Sequence, residues 1–458
     1  MSIQVSAKPE LSYLDGLLSE AIGGATKVVP ENYAIAPETA AWLQQVRDNA
    51  ATWVRELAIP TTKDEEWRFT DLSPLLAVNF EAGKPLVLPS EALTPFELSQ
   101  EASRVTFVNG VYAPQLSKVT ALPDGVFVGS LGQLPPRLRD RLADYLTAQE
   151  GGKEVFTALN TSGLVDAAVV WLPKNAIVET PIQFLFLATN GETASLIQPR
   201  ALVVAESGSA CTLLEEYVVA EREWCDNVKH GQPYFTNAVT EIWLGDNAQV
   251  KHARIQREAH NAFHIGKTAI AQGRDSHYEC TAVSTGAKLA RHHLDVFQKG
   301  EGTHTVLNGL SVVRGEQVAD THSAIALNYP HGSSQQLHKT IVDDRAQSVF
   351  NGKVFVPKPA QLTDASQLNR NLLLSPKARV HTKPQLQITA DNVKCSHGAT
   401  VSQLEEDELF YLRSRGLDPN TSRNLLVDGF AGEILDRLPL KRLQTRLARC
   451  IACRTDNS

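Results

Sequence analysis

Gly245-DNAQVKHARIQREAHNAFHIGKTAIAQ-Gly273-RDSHYECTAVSTGAKLARHHLDVFQK-Gly300-EG is the stretch on which the architecture turns. Its three marked glycines stand 28 and 27 residues apart, and each opens a polar turn that leads into a short run rich in Val, Ile, Leu, Phe and Thr. A turn that recurs at near-constant spacing signals a coil repeat. Many short strands also suit a sandwich or a barrel. The repeat tips the balance, because from about Val165 onward similar runs are closed by Pro173-Lys-Asn, Asn190-Gly, Glu206-Ser-Gly and Gly315-Glu with no helical signal between them. The expectation is a β-solenoid whose coils stack parallel strands over residues 161–401. No coil buries its apolar face alone, so the ends need covers.

Outward from this core the period changes to that of helices. Glu38 to Leu57 places Trp42, Val46, Trp53 and Leu57 on one stripe, and Pro60 ends it. Pro136 to Leu146 and Glu154 to Leu159 also read as helix, with a hairpin over Arg104 to Tyr112 about Asn109-Gly110. Residues 1–160 are therefore expected to be mostly helical. At the other end, Ser402-Gln-Leu-Glu405 reads as a capping box opening a helix, Gly416 as its stop, and Asp418-Pro419 as the start of a second. Pro439 begins a third, with Leu440, Leu443, Leu447 and Ile451 on one stripe, and Gly429 and Gly432 either weaken or break the second. Residues 402–458 are expected to form a helical cap.

Composition excludes several classes. A chain of 458 residues with 43% hydrophobic and 21% charged content is an ordinary globular sequence with material for a large core. A net charge of -7 leaves no basic footprint for nucleic acid or anionic lipid. No apolar run reaches membrane-spanning length, and Met1-Ser-Ile-Gln-Val lacks the pattern of a secretory signal. Six dispersed cysteines, among them Cys225, point to a reducing cytoplasm rather than a disulfide framework. All thirteen histidines lie between His230 and His397.

The strongest ligand types sit together in Asp391-Asn-Val-Lys-Cys395-Ser-His397-Gly398-Ala-Thr400. If Val393 to His397 is a strand, Cys395 and His397 project from one face as a soft and a borderline ligand, suited to iron, zinc or an iron-sulfur cluster. Two ligands do not close a tetrahedral site. Cys395 is either a ligand or a buried support. Cys450 and Cys453 are half a zinc site at most, and His292 and His293 face opposite sides of a strand. Asn261 to Thr268 resembles a phosphate loop but lacks its first glycine, so no nucleotide site is expected in this chain.

Several stretches together carry a family resemblance: Lys63-Asp-Glu-Glu-Trp67-Arg68, Asp343 to Lys353, Gln361 to Asn369, Asn371 to Ser375, Asp391 to Thr400 and Leu409 to Gly416. They resemble the SufB/SufD family of iron-sulfur cluster assembly proteins, and within it the SufD branch. The SufB branch reads His-Glu-Ala-Thr where this chain has His397-Gly398-Ala-Thr400, and Phe-Tyr-Cys where it has Phe410-Tyr411-Leu412. The resemblance implies a mainly β protein with a right-handed parallel β-helix core between helical terminal regions. It implies a non-catalytic scaffold that pairs with a SufB-like subunit and docks a SufC-like ABC ATPase through its C-terminal helices. Asn420, Leu425, Leu426, Phe430, Ile434, Leu440, Leu443 and Leu447 are the docking candidates. A transient cluster or iron, shared with the partner, would meet His397 and Cys395. Two other readings stand beside it: a β-helix polysaccharide-active enzyme, and a homodimeric scaffold.

Overall fold

The structure is a computed structural model describing residues 9–27, 37–98, 101–220 and 231–455. Met1 to Val5, Cys225 and His230 lie outside the described residues. Helices α1 (Pro9–Lys27), α2 (Pro37–Glu56), α3 (Ser73–Leu76), α4 (Pro136–Arg139) and α5 (Val155–Ser162) alternate with the short strands β1 (Glu81–Ala82), β2 (Ser103–Val108), β3 (Val111–Tyr112) and β4 (Phe127–Ser130). The solenoid follows as β5 (Ala168–Leu172), β6 (Ile182–Ala188), β7 (Ser195–Ile197), β8 (Arg200–Ala205), β9 (Ala210–Val219), β10 (Tyr234–Leu244), β11 (Gln249–Glu258), β12 (Phe263–Gln272) and β13 (His277–Gly286). It continues through β14 (Leu289–Gln298), β15 (His304–Val313), β16 (Val318–Ala326), β17 (Ser333–Val342), β18 (Gln347–Val356), β19 (Asp364–Leu373), β20 (Arg379–Ile388) and β21 (Lys394–Gln403). Helices α6 (Glu406–Ser414), α7 (Pro419–Leu435) and α8 (Lys441–Thr455) complete the described chain.

From β8 to β21 successive strands go to opposite sheets. Sheet A runs β20-β18-β16-β14-β12-β10-β8-β5-β4 and sheet B runs β21-β19-β17-β15-β13-β11-β9-β6-β2-β3. This is a parallel β-helix of about eight turns, mainly β as expected. Gln249 pairs with His277 and His277 with His304, so the spacing of the turn glycines is the spacing of the coils. Between the sheets Val250, Tyr278, Leu307 and Ala365 meet Ala238, Ile270, Leu294, Ile325 and Val354 in one core.

The turns before β11, β13, β15, β17 and β19 each carry one residue in the left-handed region: Asn247, Asp275, Gly302, His331 and Leu362. Their amides stack coil on coil, Asn247 donating to Arg274, Asp275 to Glu301, His331 to Gln361 and Leu362 to Asn392. Asn, Asp and Gly accept this geometry, whereas an L side chain such as Leu is strained by roughly 1–2 kcal/mol. Leu362, at φ 59° and exposed, gains nothing from burial there. Leu362→Asn is expected to raise stability by about 1 kcal/mol, read as a higher denaturant midpoint at unchanged slope.

The N-terminal region is less purely helical than its sequence suggests. β2 joins sheet B beside β6, and β4 closes sheet A antiparallel to β5, so this region covers the first end of the solenoid with strands. The hairpin is as read, with Phe107 opposite Tyr112 and both Asn109 and Gly110 at positive φ. Pro136 to Leu146 shortens to one turn of α4 and a 3-10 turn. In α2 the deepest residues are Leu43, Ala50 and Val54, flanked by half-buried Trp42, Val46 and Trp53.

At the other end two expectations are corrected. β21 runs on through Gln403, so Ser402 lies in a strand and α6 starts only after Glu405. Helices α7 and α8 lie along the flank of sheet B rather than over the end of the solenoid. The cause is an apolar stripe on its outer side: Ala253, Ile255, Val283, Leu310, Val312 and Ile341 recur coil after coil and are buried by Val427, Ala431, Ile434, Leu443 and Leu447. Ion pairs Arg423–Asp343 (2.9 Å), Lys339–Glu433 and Arg446–Glu216 hold the helices in place. Asp418 caps α7 as expected, accepting from the Asn420 and Thr421 amides, and α7 continues unbroken through Gly429 and Gly432.

Candidate functional site

The last coil carries the predicted ligand pair. Among the described residues β21 pairs only with β19, placing Cys395 beside Ala365 and His397 beside Gln367. Residues two apart on a strand share a face. Cys395 packs at the edge of the core between the sheets, together with Leu386 and Val393, and His397 follows it in the exposed part of the strand. Burial raises the Cys395 thiol pKa; the Ala365 backbone opposes this and the Asp364 carboxylate adds to it. The isolated chain thus favours the thiol, and a nearby metal is what would make it a thiolate ligand.

Among the described residues no three His, Cys, Asp or Glu side chains form a group that could hold a metal ion. The geometry offers a pair of ligands at an open end. Among the described residues that end also leaves both sheets with a terminal strand unpaired on its outer side, β20 in sheet A and β21 in sheet B. Natural edges are usually blunted by charge or proline. β20 has Pro384, Lys383 and Arg379, but after Lys394 the strand β21 reads Cys-Ser-His-Gly-Ala-Thr-Val-Ser-Gln without a charged residue. A strand of this kind is a template for pairing with another chain.

The eight docking candidates divide. Ile434, Leu443 and Leu447 are buried against the solenoid, and half-buried Phe430 and Leu440 pack on the same cluster, with Lys339 Nζ 4.3 Å from the Phe430 ring centre. Leu426 is half-buried, whereas Asn420 and Leu425 are exposed. The stripe read as a docking face is therefore largely covered by this chain itself. Sequence periodicity finds an apolar face but not what covers it. The open apolar surface lies one helix earlier: α6 buries none of its residues, and Phe410 and Tyr411 are 71% and 58% exposed.

Other motifs resolve differently. Asp343 and Asp344 lie in a turn after β17, where Asp343 is paired with Arg423 and Asp344 accepts from the Gly315 amide. Asn261 to Thr268 enters β12, and Lys267 is held by Asp295 (3.1 Å) and the Gly151 carbonyl (3.0 Å). Cys450 is free and buried, whereas Cys453 is disulfide-bonded, so the two do not act as a matched pair. His292 points into the solenoid and His293 out toward Asp295 at 3.0 Å.

Two polar clusters were not foreseen. On the outer face of sheet A, the segment read only as a charged stretch around Trp67 forms a clamp. Asp320 accepts from Arg291, from His322 Nε2 (2.9 Å) and from Thr70 (2.5 Å), and the Arg291 guanidinium lies 3.8 Å from the Trp67 ring centre. Glu66 meets His322 Nδ1 (3.1 Å), Asn351 (3.1 Å) and Lys353 (2.5 Å), and Phe69 stacks on His381 at 4.0 Å. Inside the solenoid, Glu215 meets His252 at 2.9 Å, and His252 Nδ1 lies 3.0 Å from the Tyr278 hydroxyl. Beside them Arg254 reaches His264 (2.6 Å), and His264 reaches Glu258 (2.7 Å). The only sequence signal for the interior cluster was the concentration of histidines in the repeats.

Comparison with known proteins agrees with this architecture. The family "SUF system FeS cluster assembly, SufBD core domain" matches residues 186–430, and "SufBD protein N-terminal region" matches residues 30–184. The chain is 52% identical over 410 residues to an iron-sulfur cluster assembly SufBD family protein of Synechocystis, covering 89% of this chain and 90% of that one. It is 35% identical over 451 residues to the chloroplastic protein ABCI7 of Arabidopsis thaliana, covering 97% and 92%. Against the iron-sulfur cluster assembly protein SufD of Escherichia coli it is 29% identical over 382 residues, covering 83% and 85%. No helix among the described residues is long and apolar enough to cross a membrane.

Proposed function

This chain belongs to the SufBD family of iron-sulfur cluster assembly proteins and is SufD-like, and from that premise we propose that it is the non-catalytic scaffold subunit of a cytoplasmic assembly complex. It pairs with a SufB-like subunit through the free strand edges of its last coil. His397 and Cys395 contribute half of a site whose other ligands come from that partner, and the cargo is iron or a nascent cluster. The observation that carries the reading is the placement of the ligand pair on an edge strand that carries no charge after Lys394 and whose outer side is unpaired among the described residues. Imidazole and thiolate suit iron, and a shared site explains why two ligands suffice here.

His397→Ala is expected to abolish most cluster assembly by the reconstituted complex while leaving the isolated chain's melting temperature unchanged, since the side chain is exposed. Iron and sulfide bound per complex under anaerobic conditions are the readout. Wild-type loading by the variant would refute the role.

Docking of the SufC-like ATPase is assigned to α6 and the start of α7, with Phe410, Tyr411, Leu425 and Asn420 at the contact. Exposed aromatic anchors are the side chains that dominate interfaces. Phe410→Ala with Tyr411→Ala is expected to weaken co-purification with the ATPase by about 2 kcal/mol or more. Pull-down at undiminished thermal stability checks this, and undiminished capture would move the surface elsewhere. Removing everything after Arg415 is a poorer test, because it would strip the cover from the outer stripe of sheet B.

A further inference from the structure

The two strands at the open end are not equal as edges. In a parallel ladder alternate residues turn their N–H and C=O to one neighbour, and the residues between turn theirs to the other. The Arg379 amide donates to the Ala346 carbonyl (3.0 Å) and the Thr389 amide to the Val356 carbonyl (2.9 Å), at the two ends of an unbroken register between β20 and β18. The odd-numbered residues of β20 therefore serve β18. Val380, Thr382, Pro384, Leu386 and Ile388 face the other way, toward the side that is unpaired among the described residues. On β21 the Lys394 amide donates to the Thr363 carbonyl (2.9 Å), again at the start of an unbroken register. There the even-numbered residues serve β19, and Cys395, His397, Ala399, Val401 and Gln403 face the free side.

Pro384 stands in the middle of its row. It leaves the pairing with β18 intact, because its nitrogen points away from that strand. On the free side it removes the central donor and puts ring carbons where an incoming carbonyl would sit. The chain also finishes this strand on its outer face, where Phe69 stacks on His381 at 4.0 Å and Glu65 pairs with Lys383. Every residue of the β21 row has its N–H, and Ala399 and Val401 are exposed. A strand laid along β21 gains an uninterrupted set of backbone hydrogen bonds, whereas one laid along β20 meets a gap and a clash at its centre.

We propose that Pro384 is the specificity-determining residue of the open end: it closes β20 to strand addition, so that an extended segment of the partner subunit pairs with β21. This rests on the reading that the last coil meets a SufB-like subunit, and adds which of the two edges is used. A strand on β21 runs beside Cys395 and His397, and its residues at the facing positions lie about 5 Å from them.

Ala399→Pro moves the same gap to β21. The Ala399 amide plays no part in the ladder with β19, so the isolated chain should keep its melting temperature, whereas Thr400→Pro, one residue on, should lower it. In sedimentation of the full-length chain with the SufB-like subunit, Ala399→Pro is expected to weaken association by about tenfold or more. Val401→Pro, at the next free position, should do the same and replaces Ala399→Pro if that variant melts early. Pro384→Ala restores the missing donor, and the isolated chain should then self-associate about tenfold more tightly than the wild type. Association of the stable proline variants as tight as that of the wild type overturns the choice of β21. Self-association of Pro384→Ala no tighter than that of the wild type overturns the role of Pro384. A wild-type chain with no affinity for the SufB-like subunit would instead sink the pairing with that subunit, and comparison of Pro384→Ala with the wild type would still decide whether β20 is closed.

Discussion

Replacing Asp320 by Ala is expected to destabilise the protein by about 3–5 kcal/mol, because it strands a buried arginine. Arg291 is 2% exposed and donates to Asp320 and to the Glu66 carbonyl (3.0 Å) beneath the Trp67 ring. With the carboxylate gone, the guanidinium keeps its charge and loses the group that compensated it, and His322 and Thr70 lose their acceptor as well. The double replacement Asp320→Leu with Arg291→Met should recover most of the loss, since exchanging a whole buried pair for apolar groups is often neutral. Urea unfolding of the two variants decides it: a loss below about 1 kcal/mol for the single variant would mean that the clamp opens to water.

Glu215→Ala is the second large effect, again about 3–5 kcal/mol. Glu215 and His252 are wholly buried inside the solenoid, and Thr240 (2.9 Å) and Tyr217 also donate to the carboxylate. The substitution removes all three partnerships and leaves a void among polar groups. Glu215→Gln keeps the shape and should cost less. Equal losses for the two would show that the charge rather than the volume is what matters there.

The same clusters give stability a peak near pH 6.5. Burial works against the charged forms of Glu215 and His252, but their contact outweighs it in Glu215, which is lowered to about 2; in His252, Cys280 and Glu215 outweigh it and raise it to about 9. Burial likewise opposes the charge on His322, while Asp320 and Glu66 raise it; its hydrogen bond to Glu66 chiefly lowers that carboxyl, to about 2. A raised histidine contributes fully below its unfolded pKa of about 6.5, and that contribution fades as pH climbs through the folded value. The depressed carboxylates contribute above about 4.5 and lose their contribution as pH falls toward 2. His292, His338 and His264 are pushed down by burial, His338 to about 4, so they oppose folding increasingly as pH drops below about 6.5. Unfolding free energies measured at about pH 5, 6.5 and 9 should show the middle value highest; a monotonic rise to pH 9 would contradict the assignments of His252 and His322.

What the order of residues made legible was whatever depends on near neighbours. The spacing of Gly245, Gly273 and Gly300 declared the coil. Asn109-Gly110 declared a hairpin, and Asp418-Pro419 a helix start. The ligand pair could be placed on one strand face because the side-chain period of a strand is two. The family resemblance added the assembly role, which no spacing could supply.

Other features have a remote cause that spacing does not carry. Ser402 looks like a helix cap, yet strand pairing with β19 claims it first. Polar residues at alternating positions, such as His252, Arg254 and Gln256, ordinarily mark a solvent face, and here they point into the core, because they find partners on other coils. Leu443 and Leu447 looked free for a partner until Ile255 and Leu310 were seen beneath them.

By itself the sequence determined the period, the turns and the strand that bears Cys395 and His397, since backbone hydrogen bonding and φ preferences act over a few residues. Only the tertiary structure decided which faces are covered, which end stays open, and that Glu66 reaches Asn351, 285 residues away. Burial is a property of what lies opposite a side chain, and for this chain the opposite surface comes from another coil or from the far end of the polypeptide.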